Sequence, residues 1–100
     1  MEKIEKEGFE ILDKEEKKIL DEIFDDYFPK IQRLIKKDLA LKFQLRMHEK
    51  KKSKKYSIHV EAIYPGKIIT AQAHDYDLAK TAHKAMKKLE EEIRHKFKIC

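Results

Sequence analysis

The chain has 100 residues, 43% charged and 41% hydrophobic, with two glycines, two prolines and one cysteine. That supplies one two-layer core but not two, so one domain spanning residues 1–100 is expected, and the apolar content excludes a disordered polyelectrolyte. Its net charge of +5 is unevenly held: residues 1 to 37 carry nine Lys/Arg against eleven Asp/Glu, and residues 38 to 100 carry fifteen against eight. A local basic surface points to a polyanionic partner, nucleic acid ahead of an anionic membrane. No apolar run approaches the roughly 18 residues of a membrane span, and the chain does not open on a signal-peptide pattern, so a cytoplasmic protein is expected. Cys100 alone makes neither an internal disulfide nor a zinc site.

Taken in chain order, the segment from Lys3 to Leu12 alternates at Phe9 and Ile11 as a strand does while its charges suit a frayed helix, and of the two a short edge strand is preferred. Asp13 and Glu16 have the spacing of a capping box and should start a long helix. Ile19, Leu20, Ile23, Phe24, Tyr27, Phe28, Ile31, Leu34 and Ile35 make its apolar stripe, which continues past Pro29. The proline falls on the solvent side and should kink the helix or split it near Phe28. Asp21, Glu22, Asp25 and Asp26 form an acidic outer face on this helix. Leu39, Leu41, Phe43, Leu45 and Met47 then alternate with Lys42, Gln44, Arg46 and His48, the pattern of a half-buried strand.

Lys50, Lys51, Lys52, Lys54 and Lys55 surround Ser53, and are expected to form a flexible basic loop. Beyond it, Tyr56, Ile58, Val60, Ala62 and Tyr64 recur with period two. A two-residue turn at Pro65-Gly66 would set Tyr64 opposite Lys67, Ala62 opposite Ile69, Val60 opposite Ala71 and Ile58 opposite Ala73; the primed turns usual in hairpins do not favour this pair, so a longer loop is the alternative. Asp77 should cap a second helix. At about 100° per residue, Leu78, Ala82, Ala85, Met86, Leu89 and Ile93 share one side of it, and Lys80, Lys84, Lys87, Arg94, His95 and Lys98 the other.

The expected fold is an α+β two-layer sandwich in the order β-α-β-β-β-α, with a three- to four-stranded antiparallel sheet. Both helices should cover the face that holds Phe43, Leu45, Ile58, Val60, Ile69 and Ala71, much as in double-stranded-RNA-binding domains. No catalytic constellation emerges: there is no glycine-rich phosphate loop, and neither Ser53 nor Ser57 lies in a nucleophile motif. His59 and His74 share the open sheet face but lack the acids and thiols that complete a metal shell. The residues describe a binding protein without cofactor, metal or small-molecule substrate, expected to be a monomer.

The Phe9-Glu-Ile-Leu-Asp13 lead into the first helix, the three strands and the segment Ala73 to Lys98 resemble the ribosome hibernation-promoting factors, also called protein Y or sigma-54 modulation proteins. The likeness runs over nearly the whole chain. It is most specific at Asp75, Asp77-Leu78, Ala82, Lys88-Leu89 and Ile93-Arg94-His95-Lys96, which parallel the family's Asp-x-Asp-Leu-Tyr-x-Ala and Lys-Leu-x-x-Gln-Leu-x-Lys-x-Lys patterns. The resemblance implies a domain that binds the small ribosomal subunit, in the channel of messenger and transfer RNA, and blocks translation. Carried over by position, contacts to ribosomal RNA fall on Lys80, Lys84, Lys87, Lys88, Arg94 and Lys98, assisted by the basic tract from Lys50 to Lys55. The chain departs from the family in its acidic first helix, in Ala79 where tyrosine is usual and in Glu92 where glutamine is usual. It also lacks the dimerisation domain of long members, which implies a short form. Two other readings are a double-stranded-RNA-binding domain and a protein-interaction module that docks through the acidic helix.

Overall fold

Alternation of apolar and polar residues builds the sheet, and the two helical stripes cover it. In the computed structural model, which describes residues 4–36 and 38–97, the chain forms β1 (Ile4–Glu7), a single 3-10 turn (Phe9–Ile11), α1 (Lys14–Ile35), β2 (Ala40–Lys50), β3 (Ser53–Tyr64), β4 (Lys67–Asp75) and α2 (Leu78–Phe97). The strands lie side by side in the order β1-β2-β3-β4. Around Pro65-Gly66 the expected register holds residue by residue, from Tyr64 opposite Lys67 to Ile58 opposite Ala73. Gly66 supplies the positive φ, 86°, that the turn requires after proline.

Two expectations need correction. The sheet is mixed, because β1 runs parallel to β2 while the other pairs are antiparallel. A strand-helix-strand connection carries the chain back over one face, so the second strand runs in the direction of the first. Phe9 and Ile11 do not belong to β1. Gly8, at φ 84°, ends the strand, and the turn that follows buries Phe9 while leaving Ile11 half exposed. α1 runs through Pro29 without splitting, as its continuous apolar stripe implied. Proline deletes one hydrogen bond at an exposed position, and the buried Phe24, Tyr27, Ile31 and Ile35 hold both halves of the helix on one core.

The capping box is complete: the Glu16 N–H donates to Asp13 Oδ1 at 2.8 Å, and the Asp13 N–H donates to Glu16 Oε1 at 3.0 Å. Leu41, Phe43, Leu45, Ile58, Val60, Ala62, Ile69, Ala71 and Ala73 are all buried on one face of the sheet and share a single core with the apolar stripes of α1 and α2. Both helices therefore lie over that face. They reach it differently. α1 packs beside α2 and meets the sheet through large side chains, with the Phe24 and Phe43 rings stacked at 3.8 Å between centroids. α2 sits directly on β3 and β4, where the buried residues include Ala62, Ala71 and Ala73 from the strands and Ala82 and Ala85 from the helix.

Gly8 and Gly66 separate two reasons for glycine. A Cβ on Gly8 would lie 2.3 Å from the Leu45 carbonyl oxygen, whereas a Cβ on Gly66 would meet nothing within 4 Å. Gly66→Ala should therefore cost only the left-handed backbone strain of about 1 kcal/mol, and Gly8→Ala should cost more than about 2 kcal/mol because β1 must also move off β2. Urea unfolding of the two variants measures the difference. Equal losses would mean that the backbone at Leu45 yields freely.

Candidate nucleic-acid interface

The start of α2 is fastened by three side chains within seven residues. Asp77 accepts from the Lys80 N–H at 2.9 Å, which satisfies one of the amides left without an intrahelical partner. Asp75 accepts from the Tyr76 and Asp77 N–H groups, at 2.6 and 3.2 Å on one oxygen. The Thr81 hydroxyl, buried in the first turn, donates to the Asp77 carbonyl at 2.7 Å. Helix start and strand end thus form one stiff corner.

From this corner, five of the basic residues of α2 divide into two groups, His95 and Lys96 being exposed in its last turn. Lys84 donates to Asp75 Oδ2 at 2.5 Å, Lys88 to the Gln72 carbonyl of β4 at 3.2 Å, and Arg94 to Glu90 at 3.2 Å. Lys80 and Lys87 are exposed, and neither is engaged by a side chain among the described residues. All five face outward as the helical wheel requires, but two carry charge that is free for a partner, and three hold the fold as well. Lys98 lies outside the described residues.

The basic tract is not a flexible loop. β2 extends to Lys50 and β3 begins at Ser53, leaving Lys51 and Lys52 as a two-residue turn. Lys50 pairs with Ser53, Glu49 with Lys54 and His48 with Lys55. The ladder carries the strands past their last apolar residues, and Lys51 takes the left-handed conformation, at φ 59°, that closes the turn. β1 pairs only as far as Gln44 and β4 only as far as Tyr56. The end of the β2–β3 hairpin therefore projects as a two-stranded ribbon with lysines on both strands. It meets the α2 corner where Lys55 Nζ lies 5.8 Å from the ring centroid of Tyr76.

Other polar residues lie on α1 and on the open sheet face, and Glu16 at the start of α1 reaches the same end, accepting from the Tyr56 hydroxyl at 3.5 Å. The acids Glu22, Asp25 and Asp26 are exposed on α1, and Asp21 is held by Lys6 of β1. His59 pairs across strands with Gln72, and His74 with Ser57, on the open sheet face as expected. Among the described residues no group of three or more His, Cys, Asp or Glu is placed to hold a metal, and no helix is long and apolar enough to cross a membrane. The sequence reading passed over Asp75 as an anchor and Tyr76 as an exposed ring. Two acids flanking an aromatic residue at a strand-to-helix junction were the available signal, since such acids cap and the ring between them has no place in either periodicity.

Lys84 holds the Asp75 carboxyl down at about 2, assisted by the N–H groups of Asp77 and Tyr76. The folded-state value lies below the unfolded one, so the stabilisation this carboxylate brings is present above the ordinary aspartate range and is lost as pH falls toward 2. In Lys84→Ala the midpoint of Asp75, followed by carboxyl-carbon NMR, should rise, because the largest cause of its depression is gone while the backbone donors remain. An unchanged midpoint would mean that the ion pair is not formed in solution.

No protein-family model and no curated protein sequence matches the chain. Solved structures do. The chain superimposes on a ribosomal subunit interface protein from Coxiella burnetii with a TM-score of 0.65 and 21% identity, covering 97% of this chain and 98% of the other. It superimposes on the Protein Y N-terminal domain of Thermus thermophilus with a TM-score of 0.60 and 14% identity, covering 94% and 96%. The resemblance read from the strand order and from residues 73 to 98 is borne out in three dimensions: the fold of this chain is that of the ribosomal subunit interface protein and of the Protein Y N-terminal domain.

Proposed function

We propose that this chain is a non-enzymatic, ribosome-associated regulator of translation. As a single cytoplasmic domain it binds ribosomal RNA of the small subunit with the outer face of α2 and the β2–β3 ribbon, and occupies the channel of messenger and transfer RNA. The observation that carries this reading is the meeting of two basic elements at one corner, where Lys55 Nζ of the ribbon stands 5.8 Å from the ring centroid of Tyr76, the residue preceding Asp77 and α2. Ordered lysines at fixed spacing suit a polyphosphate path, and they recognise charge and shape rather than base identity. The folds with which the chain superimposes, one of them named for the ribosomal subunit interface, support the choice of a ribosome over other polyanions.

Lys80 and Lys87 are basic residues of α2 whose removal tests binding without loosening the fold. Lys80→Gln with Lys87→Gln should weaken association with small subunits and flatten its logarithmic salt dependence by about two, roughly one for each phosphate that is no longer neutralised. Lys17→Gln with Lys18→Gln, exposed on the first turns of α1, should leave the slope unchanged. Co-sedimentation over a series of salt concentrations, with duplex RNA as competitor, reads both. Equal losses for the two pairs would reduce the interaction to net charge, and displacement by duplex RNA at equal concentration would favour a general double-stranded-RNA binder. Inhibition of cell-free translation by the wild type, reversed in the α2 variant, completes the test.

A further inference from the structure

Tyr76 is the most exposed of the large hydrophobic residues exposed among those described, at 66%, whereas Tyr27, Tyr56 and Tyr64 are each less than 9% exposed. A single apolar side chain at a surface needs no explanation; its surroundings here do. Asp75 fixes the backbone on both sides of the ring through the Tyr76 and Asp77 N–H groups, and Asp77 in turn caps α2. The residue is therefore presented from a stiff corner, and ordering it on binding costs little. Lys55 lies 5.8 Å from its ring centroid, Lys80 stands in the first turn of α2, and Lys84 offsets the Asp75 carboxylate. The other carboxylate, Asp77, is turned to the helix amide.

We propose that Tyr76 is a stacking platform for an unpaired RNA base, with Lys55 and Lys80 receiving the phosphates on either side of that nucleotide. The proposal rests on the RNA-binding reading above and adds to it an interaction that lysines cannot make. Phosphate contacts alone bind paired and unpaired strands alike, but a ring in the open selects a base that has left its stack. Every base offers a π-face, so the platform takes unpaired nucleotides without regard to sequence. The hydroxyl of the tyrosine has no part in this, and an aliphatic side chain of similar size cannot replace the ring.

The test uses the full chain and purified small ribosomal subunits. Tyr76→Ala and Tyr76→Leu should each weaken binding by roughly 5- to 150-fold, the range that removal of one base-stacking ring produces, while Tyr76→Phe and Tyr76→Trp bind as the wild type does. Since the chain has no tryptophan, Tyr76→Trp also introduces a single emission reporter, which should be quenched on binding subunits. A short oligouridylate should likewise quench it, and blunt duplex RNA should do so far less. If the wild type binds subunits through Lys80 and Lys87 but Tyr76→Leu binds equally well, or the reporter is not quenched at saturation, the platform is overturned and the RNA-binding reading stands. If the wild type binds no subunits, the RNA-binding reading fails and the platform with it.

Discussion

The close seat of α2 on β3 and β4 is the constraint on which the rest of the molecule depends. Alanines make it possible: a helix can settle on a sheet only as far as the side chains between them allow, and Ala62, Ala71, Ala73, Ala82 and Ala85 are all buried. Larger residues at these positions would lift the helix or force its neighbours off their rotamers. On the other half of the sheet the stacked Phe24 and Phe43 rings fill the gap under α1. Because α2 lies low, β4 passes into it across only Tyr76 and Asp77, and the chain has no slack with which to swing the helix away from the ribbon. The geometry of the basic corner thus follows from packing on the opposite side of the same helix.

Where alternation ran over five or more residues, or the helical period over several turns, the fold was legible from the residues; the single alternation at Phe9 and Ile11 was too short and misled. The Pro65-Gly66 register, the Asp13-Glu16 box, the Asp77 cap and the shared helix face needed only local chemistry. The parallel pairing of β1 was hidden because four residues, mostly charged, carry little pattern, and their direction is decided by the helix that follows. The lysine hairpin was hidden for a different reason. Its turn has none of the Gly, Asn or Pro that mark a hairpin, and lysine is a weak strand former; the ladder continues there because the register fixed between Leu41 and Tyr56 propagates outward.

The candidate site was legible as a direction and not as a network. A wheel shows that Lys80, Lys84, Lys87, Lys88 and Arg94 look outward, but which are engaged depends on partners brought close by folding, such as Asp75 for Lys84 and the Gln72 carbonyl for Lys88. Those engaged lysines bind α2 to the corner and to the outer strand. The free ones, Lys80 and Lys87, are left on a helix that does not need to rearrange when an anion arrives. An ordered cation loses less freedom on association than one on a mobile segment, and the same holds for the ribbon once it is recognised as paired strand.

The overhang of β2 and β3 has a consequence for the protein in isolation. Past Gln44 on one side and before Tyr56 on the other, the two strands have no neighbour in the sheet, so both edges of the ribbon offer main-chain donors and acceptors to any extended chain. A second copy would be the nearest supplier of such a strand, and it would arrive bearing the same lysines. Like charges set opposite one another oppose that pairing, which is how natural sheets keep bare edges from zipping together. The lysines thus oppose by charge the pairing that the bare edges of the ribbon would otherwise invite.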